Sequence, residues 1–192
     1  MRDRIIPISV TWIGKDELQA IKRVLLSRWL GQGPEVEEFE RRFAKYIGTK
    51  SAVAVSSGTA ALHLALLACD IGPEDEVIVP TFTYVATANA VLHAGARPIF
   101  VDLNPHTYSI DPIGVKKALT RRTKAVIPVH YAGQPAEMNE IIEVAAESGL
   151  ILIEDSLGIC RPDGEFQAAW LQRTMRFDGL MVSLTGLSQY HQ

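Results

Sequence analysis

Apolar positions recur at helical spacing in two early stretches of the chain. Over 16–29, Leu18, Ile21, Val24, Leu25 and Leu26 alternate with charged residues, and Gly31 and Gly33-Pro34 break the pattern. Over 35–47, Val36, Phe39, Phe43 and Ile47 restore it, and Gly48 stops it. Five short runs rich in Val, Ile and Ala then follow at 52–55, 76–79, 98–101, 125–129 and 150–153. Their continuous apolarity fits strands covered on both faces. Helical segments at 59–69, 84–93, 112–119 and 137–148 separate them, the third opening Asp111-Pro112, an N-cap acid before the proline favoured at the first helical position. Strand and helix in repeated alternation predict an α/β fold with right-handed crossovers and a mostly parallel sheet. Three regions result: a helical segment at 1–48, an α/β unit at 49–155, and a tail at 156–192 that does not continue the design.

Composition narrows the reading only slightly. With 192 residues, 47% hydrophobic and 21% charged, the chain has the balance of a globular domain. A net charge of -3 gives no general reason to expect nucleic acid or an anionic membrane as partner. Arg121-Arg122 reads as a solvated turn. Cys69 and Cys160 are too few for a disulfide framework and lack metal-ligand spacing; Cys69 reads as a small buried residue. Met1-Arg2-Asp3-Arg4 leads into no long apolar segment, and no run approaches the length that crosses a bilayer. The expectation is a soluble, cytoplasmic protein.

Candidate chemistry gathers where strands end, which is where doubly wound sheets bind ligands. Ser56-Ser57-Gly58-Thr59-Ala60 joins a strand to a helix through small residues. It is either a helix cap or an anion cradle of first-turn amides, with the Thr59 hydroxyl adding a donor. Pro80-Thr81-Phe82-Thr83-Tyr84 places two aromatics after the next strand, either to cover the sheet or to stack on a flat heterocycle. Glu154-Asp155 closes the last aliphatic run, so Asp155 is a helix cap, a cation ligand or a partner for a protonated ring nitrogen.

Taken together, Trp29-Leu30-Gly31-Gln32-Gly33-Pro34, Ser57-Gly58-Thr59-Ala60-Ala61-Leu62-His63, Pro80-Thr81-Phe82-Thr83-Tyr84-Val85-Ala86-Thr87, Val129-His130-Tyr131-Ala132-Gly133-Gln134-Pro135 and Ile153-Glu154-Asp155 resemble the DegT/DnrJ/EryC1/StrS family, in order, from about residue 7 to residue 155. The resemblance implies an incomplete large domain of a fold-type I aminotransferase, a three-layer α/β/α sandwich that binds pyridoxal phosphate. It also implies action on keto sugars linked to nucleotides, glutamate as the usual amino donor, a place in polysaccharide biosynthesis, and a homodimer. Gly58 and Thr59 match the positions that hold the cofactor phosphate, Tyr84 the aromatic over the pyridine ring, and Asp155 the acid beside the ring nitrogen. His63 and His130 lie in matching segments and read as structural.

The departures from the family pattern begin after Asp155. Gly158 stands where relatives carry Gln or His, and no lysine lies between Ser156 and Gln192. All seven lysines (Lys15, Lys22, Lys45, Lys50, Lys116, Lys117 and Lys124) come earlier, at positions that do not match the family's nucleophile. No catalytic residue is therefore assigned. The expectation is a chain authentic to Asp155 and foreign or out of frame beyond it, inactive in amino transfer, with cofactor binding weak or absent. The alternative is a non-catalytic cofactor-binding or regulatory module derived from the family. A dehydratase-like relative with histidine in place of lysine is disfavoured, because His191, beside the last residue, is the only histidine after Asp155.

Overall fold

The computed structural model describes residues 13–156. Its sheet comprises β1 (Glu76–Pro80), β2 (Arg97–Val101), β3 (Thr123–Val126) and β4 (Ile151–Leu152), all parallel, in the order β2-β1-β3-β4. Successive residues of a strand point to opposite faces, and the apolar residues divide accordingly. Val77 and Val79, Ala125 and Ile127, and Ile151 and Ile153 pack on one side with α3 (Gly58–Ala68) and α4 (Ala86–His93). Ile78, Val126 and Leu152 face the other side, against α5 (Pro112–Ala118) and α6 (Met138–Ser148). The expected three layers are present, with a core on each face of the sheet.

The connections follow from crossover handedness. The step from β1 outward to β2 runs through α4 on the first face. The steps from β2 over β1 to β3, and on to β4, go the opposite way across the sheet, through α5 and α6 on the second face. Opposite directions on opposite faces preserve one hand. Adjacent strands β1 and β3 therefore send their continuations to opposite sides, which opens a crevice between their carboxyl ends.

Sequence patterning placed most elements within one or two residues, with one clear failure. Residues 52–55, expected as a strand, form no ladder among the described residues. Val53 is 65% exposed, and the Ala54 N–H is satisfied by Glu40 Oε1 at 2.7 Å. A strand exists only beside another edge, and no described strand borders this segment. The helix expected from residue 84 begins at Ala86, which leaves Tyr84 in the preceding turn. Two N-terminal helices, α1 (Lys15–Ser27) and α2 (Pro34–Ile47), match their pattern. Gly48, at φ +84°, ends α2 in the left-handed region that glycine adopts without cost. An Arg23–Glu35 ion pair of 2.9 Å joins the two helices. The expectations for residues 1–12 and 157–192, including Gly158, Cys160 and His191, lie outside the described residues.

Candidate active site

Asp155 reaches the crevice through backbone geometry. It forms a parallel bridge with Val129 just beyond the end of β3, its N–H donates to the Pro128 carbonyl at 3.0 Å, and its carbonyl accepts from His130 N–H at 3.0 Å. The residue is only 5% exposed. A carboxylate that buried requires a donor. Thr87, in the first turn of α4 and fully buried, donates its hydroxyl to Asp155 Oδ2 at 2.7 Å. Thr83 and Thr87 hydroxyls lie 2.8 Å apart. Since Thr87 gives its proton to the carboxylate, it accepts from Thr83. The turn after β1 and the end of β4 are thus tied through a chain of three side chains.

A second polar unit lies beside the first. His130 is buried, its Nδ1 accepts the Ala136 N–H at 3.1 Å, and its Nε2 lies 2.8 Å from Glu154 Oε2. An Nδ1 that accepts carries no proton, so Nε2–H is the donor to Glu154. Between His130 and Ala136 the chain makes a short 3-10 turn, Tyr131–Gly133, with Ala132 at φ +51°. That left-handed conformation costs a non-glycine residue about 1 kcal/mol. The Tyr131 ring packs on Phe82 with centroids 4.4 Å apart, a contact that contributes a similar amount. Phe82 follows β1 and Tyr131 follows β3, so the ring pair spans the mouth of the crevice. Phe82 therefore covers its aromatic neighbour rather than the sheet.

The remaining sequence-derived candidates sit as follows. Tyr84 is 71% exposed, which excludes a sheet-covering role. Gly58 is the buried first residue of α3, and Thr59, half-buried, is the second. Ser57 caps this helix by accepting the Ala60 N–H at 3.2 Å, and the Ala61 N–H goes to the Ser57 carbonyl. The Gly58 and Thr59 amides are therefore first-turn donors without an intrahelical acceptor. Ser156 Oγ is buried with no hydrogen-bond partner among the described residues. From sequence alone, Thr83, Thr87 and Glu154 carry no assigned role and His130 no chemistry. The available signal was a threonine, Thr87, set among the small residues Ala86, Ala88 and Ala90 of the helix that follows β1.

Other polar features belong to the framework. Glu76, buried at the amino end of β1, accepts from Thr120 Oγ1 at 2.6 Å and pairs with Arg122 at 2.9 Å. Arg122 is thus more than the solvated turn residue expected from sequence. The Thr120 hydroxyl foremost, with Arg122 and Arg97, holds the Glu76 carboxyl below its ordinary range against the opposing effect of burial. Burial raises the half-buried Cys69 thiol, which disfavours a reactive thiolate. His63 is half-buried with its ring against His93. Among the described residues, no group of three or more His, Cys, Asp or Glu side chains could hold a metal ion, and no helix is long and apolar enough to cross a membrane.

Comparison with known proteins places these features in context. The sequence profile of the DegT/DnrJ/EryC1/StrS aminotransferase family matches residues 11–158. The spore coat polysaccharide biosynthesis protein SpsC of Bacillus subtilis is 48% identical over 155 residues, covering 81% of this chain and 40% of SpsC. Among solved structures, DesV of S. venezuelae shares 45% identity with a TM-score of 0.68, over 74% of this chain and 40% of that one. Spr1654 of Streptococcus pneumoniae, in its PLP form, shares 33% identity with a TM-score of 0.76, over 79% of this chain and 43% of that one. The chain spans about 40% of the length of the curated relatives it matches.

Proposed function

The chain belongs to the DegT/DnrJ/EryC1/StrS aminotransferase family, and from that membership we propose that its α/β unit holds pyridoxal phosphate as part of a nucleotide-sugar aminotransferase. The residues present fit the cofactor. First-turn amides at Gly58 and Thr59 suit its phosphate, and the exposed Tyr84 ring suits its pyridine face. Asp155 suits a protonated ring nitrogen, and its burial beside the Thr87 hydroxyl is the observation that carries the reading. When bound, pyridoxal phosphate supplies an electron-withdrawing ring that stabilises negative charge on substrate carbon. Asp155 contributes a fixed negative charge in a water-poor setting, where its attraction for a cationic N–H is strong. Thr87 holds that carboxylate in one orientation, and Thr83 in turn orients the Thr87 hydroxyl.

Glutamate as amino donor, a nucleotide-linked keto sugar as acceptor, a homodimer and a cytoplasmic location complete the proposal. Because all seven lysines precede Asp155 at positions unlike the family's nucleophile, cofactor binding by this chain is expected to be non-covalent. The test titrates pyridoxal phosphate into the full chain, followed by visible absorbance and circular dichroism. Saturable binding with no borohydride-stable adduct is expected. Asp155→Asn, which preserves shape and removes charge, should weaken binding about tenfold or more, as loss of a charge-assisted hydrogen bond does. Absence of binding, or equal affinity in Asp155→Asn, overturns the cofactor assignment. A borohydride-trapped lysine with turnover of a keto-sugar nucleotide and glutamate overturns the non-covalent part.

A further inference from the structure

The geometry points to His130 as the positioning residue of this crevice: its Nδ1 holds the 131–136 turn, and with it the Phe82–Tyr131 ring pair, against the strand end that carries Asp155. The functional arm of this inference rests on the cofactor reading above. The conformational arm stands without it.

Four observations converge on the imidazole. The ring is buried at the end of the strand run, and the residue's backbone N–H donates to the Asp155 carbonyl. Nε2–H donates to Glu154, the residue before Asp155. Nδ1 accepts the Ala136 N–H and so closes a six-residue span. Within that span the backbone is locally unfavourable, with Ala132 at positive φ, while Tyr131 must meet Phe82 across the crevice mouth. The turn lacks regular secondary structure beyond one 3-10 turn, and its strain and its ring contact are of similar size. The Gln134 N–H bonds the Tyr131 carbonyl within the turn, and the His130–Ala136 bond ties the far end of the turn back to the strand end. A buried N–H that loses its acceptor carries a desolvation penalty, so the span would reopen toward water.

The two nitrogens can be tested separately. Asparagine places an amide oxygen near the Nδ1 position and does not reach Glu154. Glutamine reaches Glu154 with its amide nitrogen and vacates the Nδ1 position. Backbone hydrogen exchange at Ala136 and pyridoxal phosphate affinity are measured on the full chain. In His130→Gln, Ala136 exchange should accelerate about tenfold, affinity should fall several-fold, and the dichroism of bound cofactor should change. In His130→Asn, all three should stay within about threefold of wild type. Unchanged Ala136 exchange in His130→Gln overturns the inference. So does a freed turn that leaves both affinity and dichroism unaltered, since the histidine would then be structural only. Should His130→Gln not fold, the asparagine variant decides alone, and accelerated exchange there also overturns it. If the wild type binds no cofactor, the cofactor reading falls, and the exchange result alone judges the positioning role.

Discussion

Asp155 and Glu76 are both buried carboxylates, and their surroundings separate a site from a scaffold. Asp155 stands at the carboxyl end of the sheet and accepts from a neutral hydroxyl, Thr87. Glu76 stands at the amino end of β1 and is compensated by two guanidinium groups as well as Thr120. Thr87→Val keeps the shape and removes the donor, so it should destabilise the fold by about 1–3 kcal/mol. Thr87→Ser should recover most of that loss, as read from urea midpoints, and equal midpoints for Val and wild type would refute the bond's importance. For Glu76 the folded pKa lies below the unfolded value of about 4.3. Its stabilisation is therefore complete above that pH and is lost as pH falls through the lower, folded value. Glu76→Gln should lower stability at neutral pH and flatten the acid limb of the stability curve as pH falls below the unfolded value. An acid limb identical to wild type would show that other groups govern it.

Among the elements, α5 shows local rules and tertiary packing in opposition. Asp111 caps the helix by accepting from Ile113 and Gly114 N–H groups at 3.0 and 3.1 Å, and Pro112 occupies the first position, as the sequence predicts. Gly114 would seem a defect, since alanine is the better helix former by about 1 kcal/mol. A Cβ there, however, would stand 2.7 Å from Val101 Cγ1, and Val101 belongs to the buried core of this face. Gly114→Ala should therefore destabilise, by about 1–3 kcal/mol for an overpacked core. A raised melting temperature in this variant would show that the helix shifts freely to make room.

For the whole molecule, the two sheet faces are covered while the first helix, α1, is not. None of the residues of α1 is buried, and Leu18, Ile21 and Leu25 form an apolar row along one side of it. Such a contiguous exposed row binds hydrophobic probes and promotes association. Leu18→Lys with Leu25→Lys should sharply reduce fluorescence of an added hydrophobic dye and lower light scattering at high protein concentration. Far-ultraviolet dichroism should change little, because these side chains support no described core. Undiminished dye binding would place the responsible surface elsewhere.

The sequence by itself determined the parallel α/β architecture, because strands buried on both faces must be apolar throughout, and helices between them must carry one apolar stripe. It also determined the cap of α5 and the stop of α2, which depend on residues only a few positions apart. Gly58, Thr59, Tyr84 and Asp155 were legible as candidates because the family's motifs run in order along the chain. What only tertiary structure decided were contacts between residues far apart in sequence. Thr87 meets Asp155 across 68 positions, and His130 meets Glu154 across 24. Neither pair has a local pattern, since each exists only once β1, β3 and β4 lie side by side. The same reason explains the failed strand at 52–55. Its apolar pattern satisfies the local requirement, but a strand is completed by a neighbour's backbone, and that neighbour is not encoded in the segment itself.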